Sequence, residues 1–322
     1  MKKVAAIIIF FIISSLCLPI TVFFIMDAKE SPEKKSSLKE EQAMIDVFFA
    51  DENKVKNVPL EEYLVGVVSA EMPASFELEA IKAQAVAARS YAVYKQNSPQ
   101  NERHPDAAVC TDFSHCKAYK TQERARADWG KNSDAYEKKI RDAVNLTKGE
   151  IITYEGSAVL AVFHSQSGGG RTENSKDVWG GTVPYLVSVE SHGEENAPNF
   201  YSSADVSFEQ FKRIITTENS LAKVNSPSDI GRVELSDGGA VKSITIGGQS
   251  FTGSKIRSLF SLRSACFTIT ANNENVHFEV HGYGHGVGMS QYGANELAKK
   301  GYTYEKILLH YYTGTKLDYM NI

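Results

Sequence analysis

Residues Val67–Tyr94 read VVSAEMPASFELEAIKAQAVAARSYAVY and set a single glutamate, Glu71, between two segments of helical periodicity. Upstream, Leu60, Tyr63, Leu64, Val67 and Val68 recur at helical spacing behind the start signals Asn57 and Pro59. The Met72-Pro73 step ends that helix, because proline has no amide hydrogen and crowds the turn before it. Downstream, Ser75 stands in an N-cap position, Glu77 and Glu79 suit a positive first turn, and Leu78, Ile81, Ala85 and Val86 begin an apolar stripe. The second helix is predicted from about Ser75 to Lys95. Glu71 then lies at a helix C-terminus, where carbonyl dipoles disfavour a carboxylate and raise its pKa. A carboxyl held protonated near neutral pH is a general acid. The competing reading is a solvated residue in a helix-turn-helix corner.

Alanines at 80, 83, 85, 87, 88 and 92 leave the second helix little bulk, so it is expected inside the fold. Gln84 and Arg89 are its odd residues. An arginine on such a face takes an anionic partner, Glu71 or a ligand, or else points to solvent from the helix end. An Arg89–Glu71 pair would lower the glutamate's pKa and oppose the helix-end effect.

The chain has 322 residues, 42% apolar and 23% charged, enough for a large core in one or two domains. A net charge of -4 and a pI near 6.1 leave no basic footprint for nucleic acid. Lys2 and Lys3 precede an uncharged apolar run, Val4–Met26, which is long enough to span a bilayer and carries no small-x-small cleavage pattern. An uncleaved anchor is expected over 1–26, with a cleaved signal peptide as the alternative. The two lysines then stay in the cytoplasm and everything after Asp27 lies outside. Residues 27–43, rich in charge and serine, read as a tether. The remainder, 44–322, reads as one extracytoplasmic α+β domain of mixed helices and strands in two lobes flanking a substrate groove. Within it, 97–134 forms a His/Cys loop insertion and 190–275 a second lobe.

Strands are expected at 44–50, 151–154, 159–164, 233–235, 241–246, 266–270 and 276–280, and helices at 122–129, 136–146 and 207–221. No internal repeat appears. The turn-rich segment His164–Val189, HSQSGGGRTENSKDVWGGTVPYLVSV, displays polar groups between apolar runs, as binding loops do. Near the C-terminus, HGYGHGVGMSQYGA (His281–Ala294) has glycines at 282, 284, 286 and 288 that permit close backbone approach, with a helix starting near Ser290. No G-x-G-x-x-G or G-x-x-x-x-G-K-[ST] is present, so phosphate cradling is not indicated. No G-x-S-x-G or H-E-x-x-H occurs either. His281 and His285 either line a cleft for a hydroxyl-rich substrate or serve structure.

His104, Cys110, His115 and Cys116 gather two imidazoles and two thiols within 13 residues, the composition of a closed tetrahedral zinc site. The spacing is not that of a common finger. Outside the membrane, a Cys110–Cys116 disulfide with ordinary surface histidines is the alternative. A metal would order this loop, and with four protein ligands it would be structural.

Four blocks in order resemble the stage II sporulation protein D family over roughly 45–322: VVSAEMPASFELEAIKAQAVAARSYAV, HSQSGGGRTENSKDVWGGTVPYLVSV, TGSKIRSLFSLRSACFTI and GYGHGVGMSQYGA. The resemblance implies a lytic transglycosylase, single-pass in the mother-cell membrane, that cuts peptidoglycan glycan strands during forespore engulfment. The strands would be stripped of stem peptides, and the partners would be the sporulation amidase P and membrane protein M of the same stage. It makes Glu71 the catalytic glutamate and maps functional positions to Arg89 and Tyr185. Where some relatives have a lysine two residues after that tyrosine, this chain has Val187. Arg89, Ser165, Gln166, Ser167, Tyr185, His281, His285, Gln291 and Tyr292 are expected to line the groove. Relatives also include amidase enhancers, so a non-catalytic wall-binding module is the rival.

Overall fold

The computed structural model describes residues 42–98 and 102–320. Strand β1 (Met44–Phe49) buries Ile45 and Val47 on one face and pairs antiparallel with β2 (Lys54–Pro59), from Met44↔Pro59 to Phe49↔Lys54. Four of the six β2 side chains are exposed, so its sequence, KVKNVP, carries no apolar alternation and only the first strand of this hairpin was foreseeable. Pro59 closes β2 and is the N-cap of helix α1 (Leu60–Glu71), which ends as Met72 turns to extended backbone.

Helix α2 (Leu78–Gln96) begins three residues later than its sequence signals predict. Ser75 does not cap it: Glu77 occupies the N-cap, and the Glu77 N–H is taken by the Asn295 side chain at 2.8 Å. A tertiary partner has replaced a local cap. Its alanines and Ile81 are buried, and their small size lets α1, α4 (Ser133–Leu146) and β4 (Glu150–Tyr154) pack against one rod.

The segment between α2 and α4 is less of a free insertion than its composition predicts. Val109–Cys110 (β3) adds to β1 in parallel, and α3 occupies Gln122–Trp129. Gly66 on α1 is needed here. A Cβ at that position would lie 2.1 Å from the Tyr119 ring, so only glycine lets residues 117–120 lie along the helix, where Lys120 N–H bonds the Gly66 carbonyl at 3.1 Å.

The predicted strand at 159–164 is broken into β5 (Ser157–Ala158) and β6 (Phe163–His164), followed by the short helix α5 (Ser175–Trp179). A second hydrophobic core then draws on residues between Ala204 and Val280. It holds two three-stranded sheets and two helices: β7 (Tyr201–Ser207), α6 (Phe208–Glu218), β8 (Ile230–Leu235), β9 (Val241–Ile246), β10 (Gln249–Thr252), α7 (Gly253–Leu259), β11 (Phe267–Ala271) and β12 (Asn275–His281). The sheet orders are β10-β9-β8 and β11-β12-β7. Phe211, Phe260, Phe267 and Phe278 pack on one another inside it.

The chain returns through the glycine-rich turn, where Gly282, Gly284, Gly286 and Gly288 all take positive φ. Strand β13 (Met289–Ser290) pairs in parallel with β6. Helices α8 (Gln291–Lys299) and α9 (Tyr304–Tyr311) then pack on α2, and β14 (Lys316–Tyr319) joins β4. The architecture is mixed α and β. No helix among the described residues is long and apolar enough to cross a membrane. The apolar run 4–26 and nearly all of the tether lie outside the described residues.

Candidate active site and metal centre

Glu71 is the last residue of α1, and its carboxylate Oε1 accepts the Ala118 N–H at 2.8 Å. The Gln291 side chain comes from the start of α8, donates to the Glu71 carbonyl at 2.9 Å and also acts on its carboxylate. Burial pushes the Glu71 carboxyl above its ordinary range. The nearby Lys117 ammonium, the Ala118 N–H and Gln291 pull it back without cancelling the rise. The sequence therefore points to the right direction of shift, but burial is the leading cause.

The opposing cation is Lys117, not Arg89. Lys117 is only 8% exposed, and its Nζ lies 3.7 Å from the Phe163 ring centre and 4.5 Å from that of Tyr91. Burial drives its pKa down to about 8 while Glu71 and Cys116 hold it up. No sequence signal marked this lysine, because its neighbours come from α1, α2 and β6.

Arg89 does not line a groove. Its side chain is wholly buried, and Nε and Nη2 form a two-pronged pair with Glu61 at 3.0 and 2.7 Å. Nη1 and Nη2 also donate to the Glu150 and Val144 carbonyls at 3.1 and 3.2 Å. Of the two readings open for Arg89, the anionic partner is the one realised, and it lies one helix-length from Glu71. Tyr185 is likewise held inside: its hydroxyl accepts the Leu160 N–H at 2.9 Å and its ring packs on Tyr154.

Of the remaining candidates, Gln291 and Tyr292 do meet the Glu71 region, Tyr292 by its edge-on contact with Phe76 at 4.8 Å. Ser165 reaches the start of α8 through its carbonyl, which accepts Tyr292 N–H at 3.1 Å. Gln166 and Ser167 are buried, with Gln166 Nε2 donating to the Pro198 carbonyl at 2.9 Å. His285 lies partly buried 5.7 Å from the His164 ring and 5.3 Å from that of Trp179, itself 47% exposed. Burial keeps both histidines neutral, His164 down to about 4. His281 lies elsewhere, at the end of β12 against Phe200 and Tyr201.

A carboxylate with no sequence signal ties these parts together. Glu194 is 1% exposed and accepts from Ser191 Oγ (2.5 Å), Ser290 Oγ (2.6 Å) and Ser167 N–H (2.9 Å). Ser290 also caps α8 through Gly293 N–H at 3.1 Å, which positions Gln291 beside Glu71. Burial raises Glu194 to about 7, although all three donors favour its charge.

Beside Glu71 the four predicted ligands converge, with one donor atom from each of His104, Cys110, His115 and Cys116 within 4.8 Å of the others. Cys110 Sγ is 3.3 Å from His115 Nδ1, and Cys116 Sγ is 3.5 Å from both His104 Nε2 and His115 Nδ1. A tetrahedron with metal–nitrogen bonds of roughly 2.05 Å and metal–sulfur bonds of roughly 2.3 Å has a nitrogen–sulfur edge of about 3.6 Å. The donor set fits a tetrahedral metal ion. His104 Nδ1 lies 2.8 Å from the Ala107 carbonyl, which leaves the Nε2 lone pair for the ion. Both thiols are free, and Cys116 ionises first, favoured by hydrogen bonding from Cys110 and by His104. The next two residues are Lys117 and Ala118, so the cluster anchors two of the three groups that act on Glu71.

A family model described as stage II sporulation protein (SpoIID) matches residues 50–154, the segment carrying Glu71 and the His/Cys cluster. The chain is 35% identical over 294 residues to stage II sporulation protein D of Bacillus subtilis (strain 168), covering 91% of this chain and 84% of that protein. It is 34% identical to stage II sporulation protein D of Bacillus amyloliquefaciens, over 90% and 83% of the two chains. The amidase enhancer of Bacillus subtilis (strain 168) is 31% identical over 79% of this chain and 40% of its own length. With such relatives matched along nearly the whole sequence, the chain belongs to the stage II sporulation protein D family.

Proposed function

We propose that the protein is a lytic transglycosylase that cleaves the bond between N-acetylmuramic acid and N-acetylglucosamine in peptide-stripped peptidoglycan strands, with Glu71 as its general acid and base. One observation carries this reading: the groups acting on the charge of Glu71 are an ammonium, a backbone N–H and an amide, and none is a second carboxylate. Hydrolytic glycosidases pair two carboxyl groups roughly 5–9.5 Å apart, so that one protonates the leaving oxygen and the other attacks or activates water. A lone carboxyl suits chemistry in which the substrate supplies the nucleophile.

In the proposed reaction the Glu71 proton passes to the glycosidic oxygen as the C1–O bond breaks, freeing the N-acetylglucosamine hydroxyl. The Glu71 carboxylate then takes the proton of the muramic acid 6-hydroxyl while that oxygen bonds to C1. The acid is regenerated, no water is consumed, and the product ends in a 1,6-anhydro ring. Burial favours the protonated acid, while Lys117 and Ala118 N–H hold the carboxylate between the two transfers.

The cluster of His104, Cys110, His115 and Cys116 is assigned to zinc. When bound, zinc supplies a clamp rather than a Lewis acid, because four protein ligands fill its tetrahedron. The reading places the protein in the mother-cell membrane through the 1–26 anchor, with sporulation amidase P and membrane protein M as partners.

Purified protein is incubated with peptide-stripped glycan strands and the products are weighed by mass spectrometry. Anhydro-ended fragments from wild type and none from Glu71→Gln are expected; anhydro ends from Glu71→Gln would sink the mechanism. Likeness to the amidase enhancer supports a second reading, wall binding that stimulates a partner, which predicts no fragments from either protein. Under the zinc assignment, chelation stops cutting together with the onset of proteolysis inside 104–120. Lost activity with that loop still protected would make the metal catalytic.

A further inference from the structure

Two arginines of the second lobe come to the glycine-rich turn, and neither meets a carboxylate. Arg257 lies on α7, and Arg263 follows just past its end. Arg257 Nε donates to the Leu262 carbonyl at 3.3 Å, which braces the loop between them. The Arg263 carbonyl accepts the Gly284 N–H at 3.0 Å, and its guanidinium lies 5.0 Å from the centre of the Tyr283 ring. Both side chains are only partly exposed, and among the described residues neither forms an ion pair.

The other charges around the turn are engaged. Lys242 is held by Asp177 at 3.0 Å, and Arg171 bonds Ser188 and reaches Glu190 at 3.9 Å. Glu173, whose N–H bonds the Gly286 carbonyl at 2.7 Å, accepts the Ala240 N–H at 3.1 Å and is also bonded by Ser236. No arginine acts on it, and burial holds its carboxyl above the usual range. Burial likewise pulls the Arg257 guanidinium below its ordinary range, and the group that opposes the pull is Tyr283 rather than an acid. Arginine keeps its charge at neutral pH, and a half-buried charge without a counter-ion is uncommon in a folded chain. The turn is therefore supplied with positive charge that the protein itself does not neutralise.

The surroundings narrow the ligand. Tyr283 and Trp179 are each 47% exposed, and Trp179 packs 5.3 Å from the neutral His285 ring. Half-exposed aromatic rings offer an apolar face with a wet edge, which suits a sugar ring. His285 also ties the place to Glu71, because its protonation is disfavoured both by Arg257 and by Lys117, the cation beside Glu71.

We infer that Arg257 and Arg263 bind the lactyl carboxylate of an N-acetylmuramic acid unit, with Tyr283 and Trp179 offering their faces to the adjoining sugar rings. The inference rests on the glycan reading of the Glu71 site. In an intact strand that carboxyl is the amide that carries the stem peptide; stripping frees it as an anion at neutral pH. A guanidinium matches a carboxylate with two parallel N–H···O bonds and has no such match to an amide. The two arginines thus select stripped strands.

Binding is measured by calorimetry on the full-length Glu71→Gln protein, so that no ligand is cut. The probes are a peptide-stripped glycan tetrasaccharide and the same molecule with its lactyl carboxyls converted to methylamides. The free acid should bind about 10–100-fold more tightly. Adding Arg263→Met, which keeps an unbranched stem over Tyr283, should bring the acid down to the affinity of the amide, and Arg263→Lys should retain part of the preference. Arg257→Met should act as Arg263→Met does; if it melts early, the Arg263 variants decide. Equal affinity for acid and amide, or a full preference surviving in Arg263→Met, overturns the site. Anhydro ends released by the native protein without any preference for the acid remove the subsite and leave the lytic reading standing. An acid preference that depends on Arg263, in a native protein that cuts nothing, removes the lytic reading and keeps the subsite.

Discussion

Helix α1 carries a glutamate near each end, and the two have opposite fates. Glu61, in the first turn, is gripped in a two-pronged ion pair by Arg89, whose remaining donors satisfy buried carbonyls. Glu71, in the last turn, receives single contacts from Ala118 and Gln291, and its cation, Lys117, sits against aromatic rings. A carboxylate saturated by a guanidinium has its oxygens filled and serves the fold. One that is buried but incompletely compensated can exchange a proton and serve chemistry. The surrounding donors, rather than residue type or helix position, separate the two.

Exchanging each carboxylate for its amide tests the contrast most severely. Glu71→Gln should take anhydro-product release below detection, a loss of at least about 10²-fold, with an unchanged melting temperature. Glu61→Gln should do the reverse, because it strands the Arg89 guanidinium, and Arg89→Ala should likewise cost about 3–5 kcal/mol in denaturant unfolding. The double replacement Glu61→Leu/Arg89→Met should recover most of that loss; if it does not, the pair does more than fill space.

Glu194 extends the comparison to a buried carboxylate whose bonded donors are all neutral. The titratable groups near it are Glu195, Tyr311 beyond Ser191, and His164 beyond Ser167. Its folded pKa of about 7 lies above the ordinary value of 4.5, so the folded state holds the proton more tightly. Stability is therefore full below pH 4.5 and falls as pH rises to about 7, by at most about 3 kcal/mol. That slope should vanish from the pH dependence of unfolding in Glu194→Gln. A wild-type profile that rises over the same window would mean that cations compensate Glu194 as they do Glu61.

The smallest effect is expected at Lys117. Lys117→Met should reduce turnover about tenfold, ~1.4 kcal/mol of barrier, while keeping the aromatic packing. Because the ammonium pulls the Glu71 pKa down, its loss should carry the alkaline limb of the rate profile to higher pH. An unmoved limb would remove Lys117 from the site.

Much was legible before the fold was known. Periodicity placed α1, α3, α4 and β9 within a few residues, and proline and serine marked the starts of α1 and α8. Such signals are local: a turn of helix or a pleat of strand is written in residues three, four or two apart. The His/Cys cluster was legible for the same reason, since its four ligands lie within one short loop. Strand β2 was not, because its side chains face solvent. Helix α2 was misplaced at its start because Asn295, 218 residues away from Glu77, does the capping.

Local sequence was enough to end a helix at Glu71, to leave Arg89 a choice between an anion and solvent, and to gather four metal-type ligands in one loop that could equally have formed a disulfide. That the anion is Glu61, that Lys117 is the cation beside Glu71 and that Glu194 is buried emerged only from packing. Helix ends and ligand loops are specified by neighbours in the chain. A pKa depends on which distant groups share a low-dielectric volume, and that arrangement exists only once both cores have closed.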